Sequence, residues 1–124
     1  VKRHIKLTAL GAALAALSAP ASACDIPGLE YAYLGAATAD MLTTLDIKHH
    51  ANLQEMNALL GTHPSDAKVV AYFAATDALH AAMTCELVNG NVPHALVSAW
   101  EYVTIGIETG YAVHNYSIGL RFSF

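Results

Sequence analysis

Apolar residues in this chain gather into three long blocks, 29 to 47, 66 to 88 and 93 to 113, rich in Ala, Leu, Val and Tyr. Their spacing is nearer the 3.6-residue period of a helix than the two-residue period of a strand, so each block predicts a helix. The punctuation between them agrees. Gly61, Pro64, Ser65 and Asp66 precede the second block, and Ser65 or Asp66 is suited to cap its first turn. Asn89-Gly90-Asn91 ends it, with Gly90 suited to a left-handed cap. Pro93 falls in the first turn of the third block, where a missing N–H is harmless. The expected fold is all-α: a three-helix membrane bundle, one domain over 24–124, after an N-terminal signal peptide and with a short extended tail, 114–124.

The tail "HNYSIGLRFSF" has its own pattern. Tyr116, Ile118, Leu120, Phe122 and Phe124 alternate with polar or small residues, which is strand periodicity, and Ser117, Gly119, Phe122 and Phe124 are spaced like the last strand of an outer-membrane barrel. A barrel needs at least eight alternating strands, and the Ala-rich helical blocks supply none. The tail is therefore read as lying on a membrane or packing on the bundle.

Residues 1–23 begin with Lys2, Arg3, His4 and Lys6, continue through an apolar run from Leu7 to Leu17, and end in Pro20 and the small residues Ala21-Ser22-Ala23. That order predicts a secretory signal. Cleavage after Ala23 exposes Cys24. A Cys after a small residue is similar to a lipoprotein processing site, though Ala21 stands where Leu is usual. Cys24 is thus either a lipidation site or, in an oxidising periplasm, the disulfide partner of Cys85, the only other cysteine.

Beyond residue 23 the only basic residues are Lys48, Lys68 and Arg121, against all ten acids. A nucleic-acid partner needs a clustered basic face, so that class is excluded. Each block is close to the roughly 20 residues that cross a bilayer, and long soluble helices carry broader charged faces than these. The ionisable residues inside the blocks argue the other way, since one Asp at the centre of a lone span costs about 2.5–3.5 kcal/mol. With the N-terminus exported, three crossings would put the 48–68 loop and the tail in the cytoplasm with all three basic residues, as the positive-inside bias requires. The expected location is the bacterial inner membrane. The alternatives are a periplasmic helical domain or an outer-membrane one held by a lipid anchor. The expected partners are membrane lipid, further copies of the chain or other membrane proteins.

Ionisable groups at membrane depth are functional candidates. Asp40, Thr43 and Thr44 lie within one turn; Asp77 and His80 share a face; Glu101 and Glu108 lie two turns apart with Thr104 between them. Facing stripes would align Asp40, Thr44, Asp77, His80, Glu101 and Glu108 along one polar axis. Three roles fit such an axis: pairs that fix helix register, a proton or ion relay, or a divalent-metal site. For the last, Asp77-x-x-His80 resembles half of a helical carboxylate–histidine site, without a second copy. A metal-dependent membrane hydrolase built on Asp40, Asp77, His80, Glu101 and Glu108 is the enzyme alternative. No other cofactor is expected, and no nucleophile motif or phosphate loop is present. His49, His50 and His63 in the polar loop can titrate near neutral pH or bind metal, and are read as solvated.

Asp40-x-x-Thr43-Thr44, followed by Glu55-x-Asn57-x-x-x-Gly61-x-His63-Pro64-Ser65, resembles a family of small bacterial and prophage-encoded three-helix integral membrane proteins of unknown function. The stretch 105–122 is also similar to the C-terminal part of its members, and Ala58 stands where the family often has Pro. The resemblance implies a membrane location and three helices, and it implies no reaction. From sequence, the function is that of a small membrane protein acting through membrane partners or self-association.

Overall fold

Pro27, with φ −59° and ψ 148°, fixes where the first helix begins. The computed structural model describes residues 24–124, so the segment read as a signal lies outside the described residues. Helix α1 runs Gly28–Thr44 and tightens into a 3-10 turn, Leu45–His49. Helix α2 is Asp66–Asn89 and α3 is His94–Ser117. No strand occurs among the described residues. The all-α, three-helix expectation holds, with revised ends. α1 stops three residues short of the expected 47, just after Thr43 turns its hydroxyl back onto the Ala39 and Asp40 carbonyls, a bond that competes with regular helix.

The Ser65 hydroxyl accepts the Lys68 N–H at 3.3 Å, the cap that the sequence predicted. Gly90 is not the left-handed residue: its φ is −75°, and Asn91 takes φ 55° instead. A Cβ on Gly90 would lie 3.0 Å from the Glu86 carbonyl oxygen, so close backbone approach favours glycine there. The third helix continues through residues 114–117, which the strand-like pattern had assigned to an extended tail. Its left-handed cap is Gly119 at φ 107°, with the Leu120 N–H bonded to the Asn115 carbonyl, the six-to-one bond of a Schellman ending. The remaining tail packs on the bundle: Leu120 is fully buried and the Ser123 N–H donates to the Leu42 carbonyl at 3.0 Å.

α1 is the central element, packed most extensively on α3 and less on α2. Tyr33, Ala37, Met41 and Leu45 meet Val69 and Phe73 of α2 and Leu60 of the loop in one apolar core. The 50–65 loop is held by its own polar residues. Glu55 accepts the Asn57 N–H at 2.7 Å, Asn57 Oδ1 accepts the Leu59 N–H, and the Lys68 ammonium donates to the Leu60 carbonyl. At the opposite end, Cys24 and Cys85 form a disulfide with Cα atoms 5.7 Å apart, so the thiol considered for lipidation is engaged in this structure.

The interior is unusually polar. Glu30, Asp40, Thr43, Thr44, Asp77, His80, Thr84 and Glu101 are buried, while Leu79, Leu96, Val103, Ile107 and Val113 are among the large apolar side chains left outside. Among the described residues, no helix is long and apolar enough to cross a membrane.

Candidate functional site

Two polar centres lie along the bundle. Nearer the disulfide, each helix contributes one group: Glu30 from α1, His80 from α2 and Glu101 from α3. The His80 ring stacks on Tyr33 with centroids 3.6 Å apart and faces Trp100 at 4.8 Å. Its Nδ1 lies 3.0 and 3.1 Å from the two Glu30 oxygens, and its Nε2 lies 2.9 Å from the Thr104 hydroxyl. Glu101 Oε1 accepts from Thr84 at 3.2 Å, and Thr84 accepts the Trp100 indole N–H at 3.1 Å. These bonds explain how so much polarity is buried: nearly every group sits against a partner from another helix, as burial demands.

The second centre lies toward the loop. Asn115 of α3 donates to Asp40 Oδ1 at 2.8 Å and to the Thr43 hydroxyl at 3.0 Å. Beside it is a cavity of about 520 Å³ lined by Asp40, Thr44, Glu55, Asn57, Glu108 and His114, with Leu53, Tyr72 and Phe73 on its apolar side. Two parts of the quoted motif, Asp40–Thr44 and Glu55–Asn57, therefore converge on one hollow. Gly61, His63 and Pro64 do not line it. Gly61 takes φ 78° in the turn and His63 is exposed. Three carboxylates with no Lys or Arg in the lining favour a cationic or hydroxyl-bearing guest over an anionic one.

Asp77 and Glu108 are distributed between the centres. Asp77 Oδ1 and Glu108 Oε2 are buried without a hydrogen-bond partner among the described residues, as is Glu101 Oε2. Asp77 and His80, three apart in sequence, do not bond to each other; the imidazole turns to Glu30. The group of acids and histidines close enough to share one ion among the described residues is Glu30, His80 and Glu101. It keeps His80 and Glu101 from the sequence-derived candidates and replaces Asp77 with Glu30. Glu30, Thr84, Trp100 and Asn115 were not among the site residues expected from sequence. The one signal for Glu30 was an acid inside an apolar block.

Lys48 and Asp66 pair at 2.6 Å across the loop. Asp46 accepts from His49 at 2.9 Å, from His50 at 3.0 Å and from the Arg121 backbone N–H at 2.9 Å. Partial burial raises the Asp46 pKa, but these bonds outweigh it and hold the carboxyl below its usual range. Lys48, Lys68 and Arg121 thus all sit at the end of the bundle opposite the disulfide.

No protein family, curated protein or solved structure matches this chain.

Proposed function

We propose that this protein is a small membrane-embedded helical bundle that acts by self-association, with the outer face of α3 as its contact surface. One observation carries the reading: the polarity of the bundle is turned inward. Along the helices, Glu30, Asp40, Asp77, His80 and Glu101 are buried and Glu108 is half-buried, whereas Leu79, Met83, Leu96, Val103 and Val113 face outward. A water-facing bundle has the reverse arrangement. Mean hydropathy along α1 and α3 is lowered by acids that this packing draws inward, whereas α2 buries Asp77 but keeps Glu86 exposed near its end and Asp66 paired with Lys48 at its start. The gathering of the three basic residues at one end adds a second support.

The α3 surface points to a second helix more than to lipid alone. Leu96, Ala99, Val103, Gly106, Gly110 and Val113 are all exposed and follow the alternating three-and-four spacing of a helix–helix seam. A Cβ placed on Gly106 or Gly110 would meet nothing within 4 Å, so these glycines do not serve packing within the chain. Glycines four apart on an apolar helix let another helix approach closely. Lipid has no such need of them.

The test combines alkaline carbonate extraction with cross-linking in membranes. Wild type should stay in the pellet and cross-link as a dimer or small oligomer; Gly106→Leu with Gly110→Leu should stay in the pellet and cross-link as monomer. Release of the wild type by carbonate would overturn the embedded reading, and a monomeric wild type would overturn self-association.

A further inference from the structure

We propose that Glu30, His80 and Glu101 form a binding site for one divalent transition-metal ion of the zinc, manganese or iron class, clasping the three helices together. One ligand atom from each residue can be chosen so that all lie within 4.8 Å of one another, and all three side chains are buried. His80 Nδ1 sits 3.0 Å from Glu30 Oε1. Two ligands each roughly 2.1 Å from an ion are about 3.0 Å apart at the right angles of an octahedral site and about 3.4 Å apart in a tetrahedral one. The ring and carboxylate are therefore already at coordinating separation.

The surroundings provide the outer support that metal histidines use. His80 Nε2 lies 2.9 Å from Thr104 Oγ1, and the Thr104 hydroxyl lies 3.0 Å from the Trp100 and Glu101 carbonyls. Nδ1 carries the proton of its bond to Glu30, and an ion would release that proton; with the Thr proton on a carbonyl, Nε2 then donates, which leaves Nδ1 as the lone-pair ligand. Thr84 holds Glu101 Oε1, while Glu101 Oε2 is unpartnered in a side chain that is 0% exposed. A buried carboxylate oxygen without a donor is costly, and a cation would satisfy it.

Charge and donor type set the class of ion. Two carboxylates and a neutral imidazole balance one dication, and this donor set suits zinc, manganese and iron. The nearby Cys85 sulfur is held in the disulfide, so thiolate ligation is not available. A cavity of about 220 Å³ lined by Tyr33, His80, Met83, Trp100 and Thr104 reaches the imidazole.

Trp100 is the only tryptophan and it faces the His80 ring, so it reports on the site directly. Full-length, disulfide-intact protein in detergent micelles, stripped with EDTA and dialysed, would be titrated with Co²⁺. Saturable quenching at one equivalent is expected, with Glu101→Gln and Glu30→Gln each weakening binding by about tenfold or more. A His49→Ala/His50→Ala variant should bind as wild type. Zinc-edge X-ray absorption on the wild type should show one imidazole and no sulfur, which gives a result even if a Gln variant fails to fold. No quenching at millimolar Co²⁺, two imidazoles at the edge, or loss of binding only in the double histidine variant would each overturn the proposal.

Discussion

Asn115 illustrates how one side chain sets the identity of its neighbours. Its amide donates to both Asp40 and Thr43 across the α1–α3 interface, and the Thr43 hydroxyl is committed to its own helix backbone. Removing the amide leaves the buried Asp40 oxygen without that donor. Asn115→Ala should destabilise the bundle by about 2–3 kcal/mol. Asp40→Ala in the same background should then add much less than it does alone, because the two act as one unit; chemical denaturation in micelles measures both. Asp46 makes a pH-dependent contact of the same kind, between the 3-10 turn and the Arg121 backbone. Its folded pKa is lowered, so its contribution is complete above the unfolded value near 4 and is lost as pH falls through the folded value. The protection factor at the Arg121 amide, taken relative to its intrinsic exchange rate, should therefore fall in that acid range in wild type. In Asp46→Ala, which has no acceptor, protection should be low at every pH, and a wild-type protection factor that does not change with pH would exclude the contact.

Among the elements, local signals were legible and long-range ones were not. Ser65 was readable because its cap bond reaches only to Lys68. The end of α3 was misread because the alternation from Tyr116 to Phe124 competes with helix, and Gly119 and Asn115 settle the matter only when the Leu120 N–H finds its carbonyl. Leu120 then swings fully into the core, which an alternating pattern cannot reveal. Glu30 was missed for the same reason: its partner His80 is fifty residues away. Asp77 and His80, paired by spacing alone, are both buried, but the imidazole turns to Glu30 while Asp77 Oδ1 has no partner among the described residues. The α3 ending gives a test at this scale. Gly119→Ala forces a β-carbon into a left-handed conformation at φ 107° and should cost about 1–2 kcal/mol. Gly35→Ala, in helix α1 with open space around its Cβ position, should instead be neutral or stabilising by up to about 1 kcal/mol. Equal thermal shifts for the two would argue against this ending of α3.

At the scale of the whole molecule, the disulfide and the polar centre beside it depend on each other. Cys24 lies just before α1 and Cys85 follows Thr84, so the bridge ties the start of α1 to α2 within a few residues of both Glu30 and His80. The cross-linked residues are 61 apart in sequence. A loop of that length restrains the unfolded chain by up to about 4 kcal/mol in the chain-entropy picture. Cys24→Ser with Cys85→Ser should thus lower the Tm by roughly ten degrees or more, given about 4–8 degrees per kcal/mol for a domain of this size. The same substitution frees the N-terminal turn of α1, so Glu30 is no longer held against His80. The shift in stability should come with slower or weaker quenching of Trp100 by Co²⁺, while the Asp40–Asn115 end, tied instead by the tail contacts at Leu42 and Asp46, keeps its hydrogen-exchange protection. Uniform loss of protection along α1 would mean that the bundle melts as one unit and that the bridge does not act locally.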